Sequence, residues 1–231
     1  MGIHERKERE KEHRREEILT AAQKIFFEKG LQSATMDEIA DAAELSKGTL
    51  YLYYNSKEDL YLGVMIRGLD MLHETLEETI MKAPSTMDAI WGLGTSYFEY
   101  YQKHTNFFRM FHFFQNPSIH KQVSEQMAAE CNHRTQHLWK TVIEVFQRGI
   151  NENLLREDLS PVESAVILWS NFSGLLLRID NECERWKQNL NVDLVQVLFK
   201  SNALLLHAMM TEEAQSQYSQ RFAAATTSQL S

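Results

Sequence analysis

Residues 35–57, TMDEIADAAELSKGTLYLYYNSK, decide how the chain is read. Thr35 followed three residues later by Glu38 is a capping box. The hydroxyl accepts a backbone N–H of the first helical turn, and the carboxylate reaches back to the cap's own N–H. The box predicts a short helix that includes Ile39, Ala40 and Ala43. Ser46 caps a second helix, predicted over 47–54, and Ser56 caps a third that starts at Lys57. Ala40 and Ala43 leave room for a crossing helix, and Leu45 and Leu50 are spaced to fill the wedge between the two. Short helices packed through small residues with a capped turn are the layout of a helix-turn-helix, here about 35–54.

With Leu50 turned inward, the second helix keeps Lys47, Gly48, Thr49, Tyr51, Leu52 and Tyr53 on its outer side. These side chains suit a nucleic-acid groove. The N–H groups at Ser46 and Lys47 face outward for phosphate. Gly48 lets backbone approach backbone. Thr49 hydrogen-bonds to phosphate or base, Leu52 matches a thymine methyl, and the tyrosines carry polar tips on flat rings. Lys57 is placed for one more phosphate. As members of a ligand-free three-helix core, an outward lysine, a threonine and two tyrosines have no obvious use.

Outward from this motif the periodicity is helical, with no run of alternating strand residues and no hairpin dipeptide. A first helix is expected from Arg14 to Lys29, with Ile18, Ala22, Ile25, Phe26 and Lys29 at spacings of three and four, closed by Gly30. The charged arm before it, with Glu5/Arg9 and Glu10/Arg14 at i,i+4, either extends that helix as a solvated segment or reaches a partner. The helix from Lys57 carries Leu60, Val64, Gly68, Leu72 and Leu76 and ends before Pro84. Ser85 with Asp88 opens another to about His104. A Phe-rich segment, 106–115, follows. Ser118 is expected to open a long helix to about Asn151. Ser160-Pro161-Val162-Glu163 is a start signal for a helix to about Asn181, and Asn191 is expected to open the last, to about Met210. Residues 214–231, rich in Gln, Ser, Thr and Ala, are expected to fray.

Composition narrows the function classes. The chain has 231 residues, 43% apolar and 24% charged, which suits a soluble protein with a real core. Two cysteines, Cys131 and Cys183, make no disulfide framework and fit a reducing cytoplasm. The N-terminus lacks a signal-peptide pattern, and no stretch reaches the roughly 18 apolar residues of a membrane span. Net charge is −8, against generic polyanion binding, but residues 1–57 hold ten Lys/Arg to eleven Asp/Glu, so nearly all the excess lies beyond them. His133 and His137 at i,i+4 near Cys131 have the spacing of a metal pair, yet no third and fourth ligand is evident, and no metal or cofactor is expected. No P-loop, dinucleotide fingerprint or Ser/His/Asp arrangement appears, so nothing favours an enzyme.

Residues 14–62 closely resemble the N-terminal domain of the TetR/AcrR (tetracycline-repressor-like) family. The matching stretches are IL-x-AA-x-x-x-F (Ile18 to Phe26), Gly30, Thr35, Ile39-Ala40, SKGTLY (Ser46 to Tyr51), Tyr53-Tyr54 and SKEDL (Ser56 to Leu60), about a fifth of the chain. The resemblance implies an all-α protein: a three-helix helix-turn-helix DNA-binding domain over 1–62 and a larger helical ligand-binding and dimerisation domain over 63–231. It implies a homodimer on a palindromic operator, with Thr35, Lys47, Thr49, Tyr51, Tyr53 and Lys57 at the DNA and Tyr54 in the core; Ser46, Gly48 and Leu52 join the DNA-binding candidates from the reading of the helix's outer side. One departure stands out. The family often has glycine in the turn where this chain has Glu44, which must then take an awkward backbone angle and sets a negative charge near DNA.

Two features of the larger part bear on function. Helices 161–181 and 191–210 are apolar around much of their girth, more than one buried face needs, and are expected to pair with a second copy as a four-helix bundle. Tyr97, Tyr100 and Tyr101 precede Phe107, Phe108, Phe111, Phe113 and Phe114, with Trp91, Trp139 and Trp169 on nearby helices. They are either plain core or the wall of a pocket for a small hydrophobic or aromatic ligand, for which Trp91, Tyr97, Tyr101, Phe107, Phe108, Phe111, Trp139 and Trp169 are the candidates. The expected function is a repressor released from its operator by such a ligand. An activator or ligand-independent regulator, and a helical carrier or enzyme using the aromatic cavity, are the alternatives.

Overall fold

The computed structural model describes residues 3–114 and 122–220. Its described elements are helices: α1 (Ile3–Ser33), α2 (Met36–Ala42), α3 (Lys47–Tyr51), α4 (Lys57–Lys82), α5 (Thr86–Lys103), α6 (Thr105–Phe114), α7 (Glu125–Asn151), α8 (Pro161–Leu190), α9 (Leu194–Met209) and α10 (Glu212–Gln217). The one extended pairing among the described residues is an isolated antiparallel bridge between Leu155 and Met210. Packing divides the chain into two units, Met1–Met71 with His104–His137, and Leu72–Lys103 with Leu138–Ser231.

In the first unit, α1 begins well before Arg14, so the charged arm is helical, and residues 4–13 are exposed. Its ion pairs differ from those expected. Arg6 meets Glu10 at 2.8 Å, Arg14 meets Glu17 at 2.8 Å, and Arg9 donates to the main-chain oxygen of Glu5. Such exposed pairs add little stability. Gly30 breaks the helix with φ 70°, a left-handed value that costs glycine nothing. Ile18, Ala22 and Phe26 are buried together with Leu31, Ile39, Ala40, Leu50, Leu60 and Val64 as this unit's core. Arg67 ties α4 to α1, donating to Glu16 Oε2 at 2.7 Å and Gln23 Oε1 at 2.9 Å.

The Phe-rich segment belongs to this unit. Phe107 packs edge-on against Phe27, with ring centroids 5.0 Å apart, and lies directly over Gly68. A Cβ at Gly68 would fall 2.6–2.9 Å from three atoms of Phe107, including its own Cβ. Because one of the three is Phe107's own Cβ, a rotation of the ring alone does not relieve the contact. Gly68→Ala is therefore expected to destabilise the protein by about 1 kcal/mol or more, overpacking outweighing the roughly 1 kcal/mol gain in helix propensity. A lowered urea midpoint with unchanged slope is the readout.

Ser118 lies outside the described residues. The helix expected to open there begins at Glu125, with Ser124 before it. Ser124 N–H donates to Asp59 Oδ1 at 2.8 Å, so an almost fully buried carboxylate at the start of α4 satisfies the start of α7.

In the second unit α9 packs along α8 through Leu168, Phe172, Leu176 and Ile179 on one side and Leu194, Leu198, Ala203 and Leu206 on the other. Ser160 and Pro161 open α8 as expected, but the helix runs nine residues past Asn181. Contacts one and two turns apart carry it on: Glu182 accepts from Trp186 Nε1 at 2.7 Å, and the Arg178 guanidinium lies 5.3 Å from the Trp186 ring centroid. Asn191 closes this helix instead of opening the next, at φ 51°, a left-handed angle asparagine tolerates better than most residues. Asp193 is the cap of α9, accepting from the N–H groups of Val195 and Gln196. Within the stretch expected to fray, α10 forms on a Thr211 cap, while 221–231 lie outside the described residues. Against the expectation of no span, α8 is long and apolar enough to cross a membrane by length and composition. One side of it is packed against α9.

Candidate functional site

The helix-turn-helix forms by the local chemistry the sequence specifies. Thr35 Oγ1 accepts from Glu38 N at 3.2 Å, and Glu38 Oε2 accepts from Thr35 N at 3.1 Å. Glu38 also binds the Lys29 ammonium at 2.6 Å. That bond, then those from Thr35, hold its carboxyl below the usual range. The contribution of a lowered carboxyl is complete at neutral pH and fades only as pH falls through the lowered value. Across the turn, Leu45 N–H reaches Ala40 O at 2.9 Å, closing α2. Glu44 sits at φ 54°, the left-handed turn angle its replacement of glycine requires. Ser46 Oγ accepts from Thr49 N at 3.1 Å and starts α3.

The helix itself is shorter than expected, ending at Tyr51, although the N–H groups of Tyr53 and Tyr54 both continue to Leu50 O. Leu50 is fully buried and Tyr54 nearly so, its phenol pushed up to about 12 by burial. On the other side Tyr51 is 44% exposed and Leu52 83% exposed. Thr35, Ser46, Lys47 and Gly48 are exposed, and Thr49 and Tyr53 half-buried. A Cβ at Gly48 would meet only Ser46 Oγ at 3.8 Å, so the fold does not demand glycine there. Lysine, glycine, threonine, tyrosine and leucine thus share one open surface.

Two lysines have partners that the sequence did not reveal. Lys47 Nζ bridges both carboxylate oxygens of Asp37, at 2.8 and 2.9 Å, and this bond raises its pKa. Lys57, expected at a phosphate, donates to Ala34 O at 2.9 Å and Gln32 O at 3.4 Å, where it satisfies carbonyls at the end of α1. Both partners are distant in sequence, and only helix crossing brings them close.

A sequence profile described as "Bacterial regulatory proteins, tetR family" matches residues 18–64, which hold α2, α3 and the start of α4. Over these residues the chain is similar to the tetR family. Among curated tetR relatives, the "HTH-type transcriptional activator FasR" of Mycolicibacterium smegmatis is 28% identical over 60% of this chain and 61% of its own length. The "HTH-type transcriptional repressor KstR2" of Mycobacterium tuberculosis is 27% identical over 63% of this chain and 71% of its own. Among solved tetR structures, Thermus thermophilus FadR in complex with lauroyl-CoA matches with TM-score 0.61 and 25% identity, over 87% of this chain and 97% of that one.

The chain has two further features in its second unit. One is a cavity walled by Tyr97, Trp169, Phe172, Leu168, Val142 and Phe146, with about 40 Å³ of room for water-sized atoms. Tyr97 stacks on Trp169 with centroids 4.3 Å apart, and its hydroxyl meets Ser173 Oγ at 3.2 Å. Of the aromatic residues singled out from sequence, Tyr97 and Trp169 wall this cavity. Trp91, Tyr101 and Trp139 do not, and Phe107, Phe108 and Phe111 belong to the first unit. Tyr101 instead donates to Asp180 Oδ1 at 3.2 Å. Alternation of aromatic and aliphatic residues along a helix does not reveal which face a neighbour covers, and that hid Leu168, Val142 and Phe146. The other feature is an open apolar face: Val162, Val166, Ile167 and Leu177 on α8 and Leu204 on α9 are exposed. His133 and His137 are exposed and Cys131 is buried; among the described residues no group of three possible ligands gathers.

Proposed function

We propose that the chain is a cytoplasmic, sequence-specific DNA-binding transcriptional regulator, a homodimeric repressor that reads a palindromic operator with residues 1–62 and is regulated and dimerised by 63–231. The observation that carries this reading is α3, buried through Leu50 and open through Tyr51 and Leu52. A helix held on one side and bare on the other, with Lys47, Thr49 and Tyr53 beside it, suits a major groove. Thr35, Ser46 and Gly48 are exposed in the same motif, and Lys57, half-buried, starts the helix that follows it. In a dimer the two copies of α3 would enter successive major grooves about 34–36 Å apart. The test is selection of duplexes from a random pool by the full chain. A twofold-symmetric sequence is the expected product, and a pool left unenriched defeats the reading.

The Asp37–Lys47 pair gives this reading a sharp consequence. In the free protein the carboxylate occupies the ammonium that a phosphate would take. Asp37→Asn is expected to tighten binding to the selected duplex severalfold at low salt, because the exposed ammonium no longer has to leave a carboxylate. It is also expected to steepen the dependence of affinity on salt. Fluorescence anisotropy across a salt series measures both.

The cavity of the second unit supports a ligand response. Its room is far below the roughly 300–1,000 Å³ of a ligand pocket, so a ligand must part Tyr97 from Trp169 to enter. The likeness to FadR, solved with lauroyl-CoA, favours a ligand bearing an acyl chain. To release the operator, it must bind the released state better; a hundredfold preference is worth about 2.7 kcal/mol. FasR, named an activator, favours a second reading in which the bound regulator raises transcription. Deleting the gene and measuring the transcript beside the selected operator distinguishes the two by sign.

A further inference from the structure

The first unit holds a groove that the regulator reading does not use. It lies among the end of α1, Tyr61 and α6, with about 420 Å³ of open room. Its apolar wall is Phe26, Tyr61, Met110 and Phe113, knit by ring contacts of 5.2 Å between Phe26 and Tyr61 and 6.1 Å between Tyr61 and Phe113. Tyr61 further donates its hydroxyl to Met110 O at 3.3 Å. Phe113 leaves 40% of its surface in water, an aromatic face with something still to cover. Among the described residues lining the groove the charged ones are Lys29, paired with Glu38, and Arg109, itself already engaged; both are cationic and exposed, so a ligand's carboxylate competes for them.

We propose that this groove binds an amphipathic carboxylate, its apolar tail on the Phe26–Tyr61–Phe113 wall and its carboxylate between Arg109 and Lys29. A guanidinium takes a carboxylate through two parallel hydrogen bonds, and an aromatic wall takes an alkyl chain by area. The site has a connection to the helix-turn-helix that a passive surface lacks. Lys29 is the cation that holds Glu38, and Glu38 closes the capping box of α2. Gln32, also at the groove, gives its carbonyl to Lys57. A carboxylate drawing Lys29 away competes with Glu38 and loosens the start of α2. This second step, a lowered affinity for DNA, rests on the reading of α3 as the DNA-contacting helix; binding in the groove does not.

The experiment is calorimetric titration of the full chain with decanoate below its micelle concentration, with decanol as the uncharged control. One decanoate per chain is expected, with decanol at least tenfold weaker. Arg109→Glu and Phe113→Asp should each weaken decanoate at least tenfold while the melting temperature stays within a few degrees. If Arg109→Glu lowers the melting temperature, Arg109→Gln replaces it and should weaken decanoate severalfold. Absent binding, equal binding of decanol, or affinity unchanged in the variants overturns the site. On the selected duplex, decanoate should weaken binding severalfold for the parent chain and not for Phe113→Asp. Decanoate bound with no such change overturns the coupling alone. A chain that takes decanoate yet binds no duplex defeats the regulator reading and leaves the groove.

Discussion

Replacing Lys47 and Tyr51 together by alanine is expected to abolish binding to the selected duplex and to leave the protein folded, with its sedimentation unchanged. Each side chain that meets phosphate or base contributes about 1–3 kcal/mol, and a twofold complex loses every contact twice. The combined loss is therefore expected to exceed a thousandfold. Neutralising one phosphate contact in each protomer also lowers the salt slope, by roughly 0.9 per contact. The fold should not notice. Lys47 and Tyr51 are exposed, and the one interaction lost is the surface pair with Asp37. Anisotropy titration with the selected duplex, beside a thermal melt, measures both halves. Affinity surviving the double change would remove α3 from the interface.

Val166→Asp combined with Leu204→Asp is expected to split the proposed dimer. Both residues are exposed apolar side chains, on α8 and α9. We propose this face as the interface between copies. An unpaired carboxylate buried there costs several kcal/mol, and a twofold axis places each change in the interface twice. Sedimentation at micromolar concentration is expected to show a monomer with unchanged helical content. Operator affinity should fall by about a hundredfold or more as two half-sites cease to be held by one particle. A variant that sediments like the parent at every concentration would place the interface elsewhere.

What could be read from the sequence was mostly local. The starts at Thr35, Ser46, Ser56 and Ser160 depend on side chains reaching backbone within three residues, and each appears as expected. The strained angle at Glu44 was also legible, because a residue with a Cβ stands in a turn that favours glycine. What escaped depends on helices meeting. Asp37 and Lys47 are ten residues apart, and Lys57 reaches carbonyls more than twenty residues upstream. Asp59 and Ser124 are farther apart still. The aromatic residues were counted correctly but not sorted, since Phe107 answers to Gly68 and Tyr97 to Trp169. The overrun of α8 to Leu190 follows from Glu182 and Trp186, whose value as a helical pair shows only once the turn exists.

The first packing unit is discontinuous along the chain, gathering 104–137 to the residues around the turn. Helices of five and seven residues have no stability alone and borrow it from whatever surrounds them. A reader head cut out at residue 62 would leave behind Gly68, Phe107, Met110 and Ser124, the wall and caps against which it sets. Chimeras that graft this segment onto another scaffold must therefore carry the second stretch with it, and if α3 reads DNA as proposed, its outward residues are where single codons change the surface and leave its supports in place.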